Sequence, residues 1–311
     1  MGNETRAGLA VGCVAGLAAS LFIIQTALAH TDVLTVRFVL NLVTVASTAM
    51  GVMELKRRTF REVNGPAPEP ISLILAGLAA LGLWVVAWWL MDMADYGLNH
   101  VIGSLASPKP ITEFSDSLFG LDLQPAAYEL EILFAVVLLP LVEAWLLWGL
   151  LQPELGALFG RWRAAWITGG VSGAFMALTA VQNVAPALPW GLASLDGYVV
   201  IGCVAALAVY LTGSPWTGFA AWGTFAYASF AWRDDLFREF AGKPYWDVGW
   251  LTLILVGVLV AVVAFQAIRF RNPRPAEPER ASSPRTLRVG PPLLLLLAAV
   301  VVMVIVDINA R

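Results

Sequence analysis

The sequence predicts an all-α, polytopic membrane bundle of about nine helices, and three observations carry that prediction. The chain of 311 residues is 59% hydrophobic and only 13% charged, whereas about a quarter of an average soluble domain is charged. Its apolar residues fall in long unbroken runs such as 293–306, without the polar–apolar alternation of a barrel strand. Its basic residues gather in particular connections between the runs, as they do on one side of a membrane. A mean hydropathy of +0.75 leaves more apolar surface than a water-soluble domain can bury. Lipid removes that difficulty, because each crossing then needs only about 20 apolar residues whose backbone bonds to itself as a helix.

The elements follow in order. The run at 7–29 is read as a retained helix rather than a signal peptide, because no convincing cleavage site follows it and Thr31, Asp32 and Arg37 lead into a second run at 33–53. Gly8, Gly12, Gly16 and Ser20 recur every fourth residue along the first run. Such a stripe lets another backbone approach closely and is the predicted helix-packing interface, towards this chain or another protein. The third crossing is 71–93, followed by a long external loop, 94–125. Tyr96, Leu98, Val101, Ile102 and Leu105 stand there at near-helical spacing, read either as a short surface helix or as a packed lid. The fourth and fifth crossings are 128–151 and 164–185, the fifth repeating the small-residue device with Gly169, Gly173 and Ala177. Crossings at 192–211, at 216–230 (a short one) and at 246–270 come next. A Pro-, Arg-, Ser- and Glu-rich linker at 271–290 then ties on the last crossing, 291–308.

Charge sets the orientation. Lys56, Arg57, Arg58 and Arg61 follow the second crossing, Arg161 and Arg163 the fourth, and Arg269, Arg271, Arg274, Arg280, Arg285 and Arg288 the eighth. Alternating crossings put all three groups on one side, so the N-terminus is expected in the cytoplasm and the C-terminus outside. The opposite side receives Asp92, Asp95, Glu113, Asp116, Asp122, Asp234 and Asp235. Three parts are expected: N-terminal helices over 1–127, a four-helix core over 128–232, and C-terminal helices over 233–311.

Several functions are excluded or left without support. There is no phosphate loop, dinucleotide-binding glycine pattern or nucleic-acid patch, and the bilayer itself is the first expected partner. Cys13 and Cys203 lie in apolar runs and read as small apolar side chains. His30 and His100 are too few for a zinc cluster, so no metal site is assigned. His30 with Asp32, and His100 with Asp92 and Asp95, leave an external metal or pigment site open, and no cofactor is named. Glu129 and Glu131 suit the N-terminus of the fourth helix, where the helix dipole favours a carboxylate. Interfacial belts account for most of the tryptophans, while Trp145 and Trp148 lie deeper and read as packing.

Glu143 is different. It sits within an apolar run, where a charge costs roughly 3 kcal/mol on insertion scales, and an intramembrane ionisable group is a functional candidate by default. The competing reading is a neutral carboxyl that donates to a carbonyl, or to Thr168, Ser172, Thr179 or Gln182.

Pro140, Glu143 and Gly149 stand at the spacing of P-x-x-E-E-x-x-x-R-G, and this segment resembles the first motif of the CPBP family. These are the CAAX-type prenyl-protein proteases and the bacteriocin-processing or self-immunity membrane proteins. Phe175 and Thr179 are similarly placed to the family's F-x-x-x-H, and Thr212-Gly213-Ser214-Pro215-Trp216 to its G-S-x-W turn. Trp222 and Ala226 occupy the places of its H-x-x-x-N. The resemblance spans roughly 128–232 and implies a bundle in a bacterial-type plasma membrane. It also implies that Glu143 is the one retained water-activating position. Ala144 replaces the second glutamate, Trp148 the arginine, Thr179 and Trp222 the two histidines, and Ala226 the asparagine. Peptide hydrolysis needs a base and donors for the developing oxyanion, and these replacements remove most of both. The expectation is a non-catalytic relative that binds, stabilises or helps assemble another membrane protein. An endopeptidase with an altered site around Glu143 is one alternative. A transporter-like or cofactor-holding subunit of a larger membrane complex is another.

Overall fold

The computed structural model describes residues 3–28, 34–56, 59–102, 133–180, 187–240 and 247–272, and among these there are helices and no strand. We label them α1 (Asn3–Leu28), α2 (Leu34–Lys56), the single-turn α3 (Phe60–Asn64) and α4 (Pro70–Ile102). One continuous helix follows, alternating widened π-turns with α-turns: π1 (Leu133–Leu138), α5 (Leu139–Glu143), π2 (Ala144–Leu151) and α6 (Gln152–Phe159). Then come α7 (Arg161–Ala180), α8 (Ala187–Thr212), α9 (Pro215–Phe240) and α10 (Val248–Arg271). Four segments are long and apolar enough to cross a membrane: Pro70–Ala94, Val136–Phe159, Leu195–Thr212 and Val248–Arg271. Among the described residues, the helices of the first, second, fifth and seventh expected crossings, α1, α2, α7 and α9, are formed but are not among those four, α1 and α2 carrying shorter apolar stretches at Arg6–Ala19 and Leu42–Glu54. The last expected crossing and most of its linker lie outside the described residues.

Helices run further than the apolar pattern does. α4 continues through Ile102, into the segment expected to be the external loop 94–125. The near-helical spacing of Tyr96, Leu98, Val101 and Ile102 is therefore the continuation of α4. No proline interrupts the chain before Pro108, so nothing in the backbone chemistry stops the helix earlier. The helix expected to end at 151 runs to Phe159, where Gly160 at φ 88° closes it. α9, expected to be short, reaches Phe240, because Arg233, Asp234 and Asp235 end an apolar stretch without ending a helix.

Packing depends on places where backbones touch. A Cβ on Gly169 of α7 would lie 2.7 Å from the Cys203 Cα of α8, and one on Gly173 would strike the Val199 backbone. Gly202 of α8 answers them, its own missing side chain facing the Gly169 carbonyl. α4 and α10 meet the same way at Gly82 and Gly257, each turned to the other's carbonyl. The stripe on α1 divides: Gly16 lies against Thr48 of α2, whereas Gly8 and Gly12 have nothing within 4 Å. The side chain of Ser20 lies outside the described residues.

α4 is the hub. It packs on α8, α9 and α10, so the packing crosses the expected divisions at 127 and 232. Trp84 and Trp88 of α4 both donate their indole N–H to the Ser229 Oγ of α9, each at 3.0 Å. Trp88 also stacks on Phe225, with centroids 6.5 Å apart.

One end of the bundle collects arginines. Gly65, after α3, faces the Gly213 carbonyl and Pro215 at the α8–α9 turn. Arg161 at the start of α7 donates to the Tyr210 carbonyl near the end of α8 at 3.3 Å. Arg271 at the end of α10 lies 3.7 Å from Glu69, just before α4. Arg61, Arg161, Arg163, Arg269 and Arg271 therefore belong to helix ends that meet.

Replacing Gly202 by leucine should force α7 and α8 apart and cost about 3 kcal/mol, the upper part of the usual overpacking range. Gly170→Ala, where nothing lies within 4 Å, should leave stability unchanged or raise it by up to about 1 kcal/mol through helix propensity. Thermal unfolding of both variants in detergent checks the contrast, and equal losses would show that backbone contact is not what holds this pair.

Candidate functional site

Glu143 closes α5, where the helix changes from α-turns to the π-turns of Ala144–Leu151. Widened turns interrupt the usual ladder and recur at functional sites. Here the last of them is closed by the Gln152 N–H on the Leu147 carbonyl. The Glu143 side chain is 1% exposed and its Oε2 has no partner among the described residues. α5 packs against α2 and α9, and π2 against α1, α2, α7 and α9. The carboxyl is thus enclosed by helices.

The positions singled out with it by the resemblance are buried or half-buried where their side chains are described. Ala144 is buried. Trp148 is fully buried, with its ring so close to Gly218 of α9 that a Cβ added there would lie 2.6 Å from it. Its Nε1 has no partner. Trp222 is buried and stacks on Phe225 at 5.2 Å, with Tyr198 of α8 at 6.1 Å from the Trp222 ring. Ala226 is half-buried one turn further along α9. Thr179 is on the last turn of α7, and its side chain lies outside the described residues. The structure therefore brings the helices of Glu143, Trp148 and Trp222 together.

The short helix α3 presses on the same segment. Thr59 and Glu62 cap it reciprocally, Thr59 N–H to Glu62 Oε2 at 2.9 Å and Glu62 N–H to Thr59 Oγ1 at 3.4 Å. That fixes Val63 against Gly149 and sets Phe60 edge-on to Trp145 at 5.6 Å. The α8–α9 turn forms where Gly213, Ser214 and Pro215 were expected to form it. Gly213 takes φ 74°, and Thr217 Oγ1 lies 2.8 Å from both the Ser214 carbonyl and Thr212 Oγ1.

Among the described residues, neither Thr168 nor Ser172 pairs with Glu143, and the side chain of Thr179 lies outside them. Thr168 Oγ1 is buried without a partner, and Ser172 Oγ turns to the Met176 sulfur at 3.6 Å. Gln182 lies outside the described residues. Sequence reasoning missed Gln152, whose Nε2 donates to the Ala206 carbonyl at 3.0 Å while its Oε1 has no partner. It stands one residue beyond the expected end of the crossing at 151, and the apolar residues that follow at 155–159 were the available signal that the helix continues.

No group of three or more His, Cys, Asp or Glu among the described residues could hold a metal ion. Neither Cys13 nor Cys203 is in a disulfide. His30, and the side chains of His100 and Asp95, lie outside the described residues, so the two His–Asp pairs do too. No family model, no curated protein and no solved structure matches the chain.

Chemically, this is a carboxyl buried among packed helices, with no hydrogen bond to its Oε2 among the described residues. Leaving a buried polar group unpartnered costs about 1–3 kcal/mol. Glu143→Leu should therefore stabilise the purified protein by an amount in that range, read as a raised denaturation midpoint in detergent. A clear loss of stability would mean that the carboxyl has an essential partner.

Proposed function

We propose that this chain is a multi-pass protein of a bacterial-type plasma membrane, similar to the CPBP proteins but not catalytic. It acts as a scaffold, assembly or stabilising subunit for another membrane protein. The observation that carries this reading is the enclosure of Glu143. The places where the resemblance calls for water-activating and oxyanion-holding groups are taken by Ala144, Trp148 and Trp222, and these are packed into the core. Hydrolysis needs water beside a base and donors aimed at an oxyanion. Trp148 seated on Gly218 fills space that such a reaction would keep open.

The topology proposed with it has about nine crossings, with the N-terminus cytoplasmic and the C-terminus external. The gathering of Arg61, Arg161, Arg163, Arg269 and Arg271 at helix ends that meet supports it, because basic residues mark the cytoplasmic side. The unpartnered Glu143 Oε2 favours one second reading, an endopeptidase with an altered site.

Affinity purification from native membranes in mild detergent should recover a stoichiometric membrane partner. The same preparation should leave membrane-embedded peptides intact, and Glu143→Gln should not change that. Cleavage by the unmodified protein that Glu143→Gln abolishes would replace the scaffold reading with the peptidase one. In a background lacking Cys13 and Cys203, an impermeant maleimide applied to intact cells should label Lys243→Cys and spare Arg61→Cys. The reverse pattern would invert the topology.

A further inference from the structure

The first turn of α7 carries positive charge that nothing described balances. Arg161 and Arg163 stand in it, and it contains no acidic residue. Arg161 is half-buried, donating through Nη2 to the Tyr210 carbonyl at 3.3 Å and standing 5.8 Å from the centre of the Tyr210 ring. A carbonyl and a ring face orient a guanidinium but do not neutralise it, and most of its five N–H donors remain unused. Arg163 is exposed, and no ion pair joins either arginine to a carboxylate among the described residues.

The surroundings specify what balances that charge. Trp162, Trp166 and Ile167 on the same helix are 48%, 46% and 41% exposed. Trp162 is held edge-on to both Trp166 and Tyr210, each at 5.5 Å. Exposed indoles on a membrane protein sit at headgroup depth, with their apolar bodies towards the acyl chains. A guanidinium held at that depth meets phosphate oxygens, for which its planar fork is suited. Arg61 and Arg269 at the same end of the bundle add to the attraction for a net negative headgroup, Arg271 being paired with Glu69.

We propose that Arg161 and Arg163, framed by Trp162 and Trp166, form a binding site for the headgroup phosphate of an anionic phospholipid. A zwitterionic lipid offers the same phosphate but brings its own ammonium towards two arginines, so the site favours the anionic class. The inference rests on the membrane-spanning reading of the chain but not on the scaffold function.

The test uses the full chain in phosphatidylcholine nanodiscs containing a small fraction of either brominated phosphatidylglycerol or brominated phosphatidylcholine. Bromine quenches nearby indoles, and the contribution of this pair is the difference between the native chain and a Trp162→Phe, Trp166→Phe double variant. Phosphatidylglycerol should be preferred by about fivefold for each arginine engaged. The preference should fall in Arg163→Gln and vanish in Arg161→Gln with Arg163→Gln. Arg163 is exposed, so its single substitution reports on binding even if the double variant folds poorly. Equal quenching by the two brominated lipids would overturn the site and leave the membrane reading standing. Absence of a difference signal with either lipid would place the two indoles away from the bilayer and overturn the site, while loss of quenching from all the tryptophans would also overturn the membrane reading.

Discussion

Helices surrounded by lipid gain nothing by hiding apolar surface from one another, so their association depends on how closely they can pack. In this bundle the approach is closest where a glycine removes the only side chain that would keep two backbones apart. α7 and α8 meet at Gly169, Gly173 and Gly202, and α4 and α10 at Gly82 and Gly257. The rest of the arrangement builds on those two crossings. With α8 and α10 held in this way, α4 lies between them and offers Trp84 and Trp88 to Ser229. That pair of bonds ties α9 to the hub, and α9 supplies the flat surface at Gly218 on which Trp148 rests. The enclosure of Glu143 is therefore a consequence of contacts made far from it in the chain.

Much of this was legible in the sequence, for reasons that also explain what was not. Apolar runs report the part of a helix that a membrane or a core surrounds. They do not report where a helix ends, because charged residues such as Arg233, Asp234 and Asp235 leave the apolar phase while still forming helix. Gly169 and Gly173 could be read because they repeat at four-residue spacing on one helix. Gly82 and Gly257 could not, since neither belongs to a four-residue repeat (Gly77 stands five residues before the one and Gly249 eight before the other) and only the fold reveals their pairing. Gly8 and Gly12 show the converse, a repeat with no backbone against it among the described residues.

At the site the same distinction holds. Glu143 was legible because one carboxyl in an apolar helix is conspicuous by cost alone. Its lack of a partner was not, because Thr168, Ser172 and Thr179 offered hydroxyls at reasonable positions on a neighbouring helix. The π-turns of Ala144–Leu151 change which residues of that helix share a face. No spacing rule based on ordinary α-turns anticipates that. Gln152 was missed for a different reason, lying just beyond the helix end expected at 151 when the helix in fact runs to Phe159.

An enzyme and a scaffold place opposite demands on a membrane core. The enzyme must keep polar groups in contact with water and hold them apart from one another until substrate arrives. The scaffold gains by filling every space, because its surface is only as well defined as the packing beneath it. Trp148 against Gly218, Val63 against Gly149 and Trp222 against Phe225 fill space in the way the proposed scaffold reading calls for. The surface this packing supports at the arginine-bearing end is rigid in the same sense, since Tyr210 holds both Arg161 and Trp162. Order at that end and enclosure around Glu143 thus have one physical origin, the close seating of α7, α8 and α9 on their neighbours.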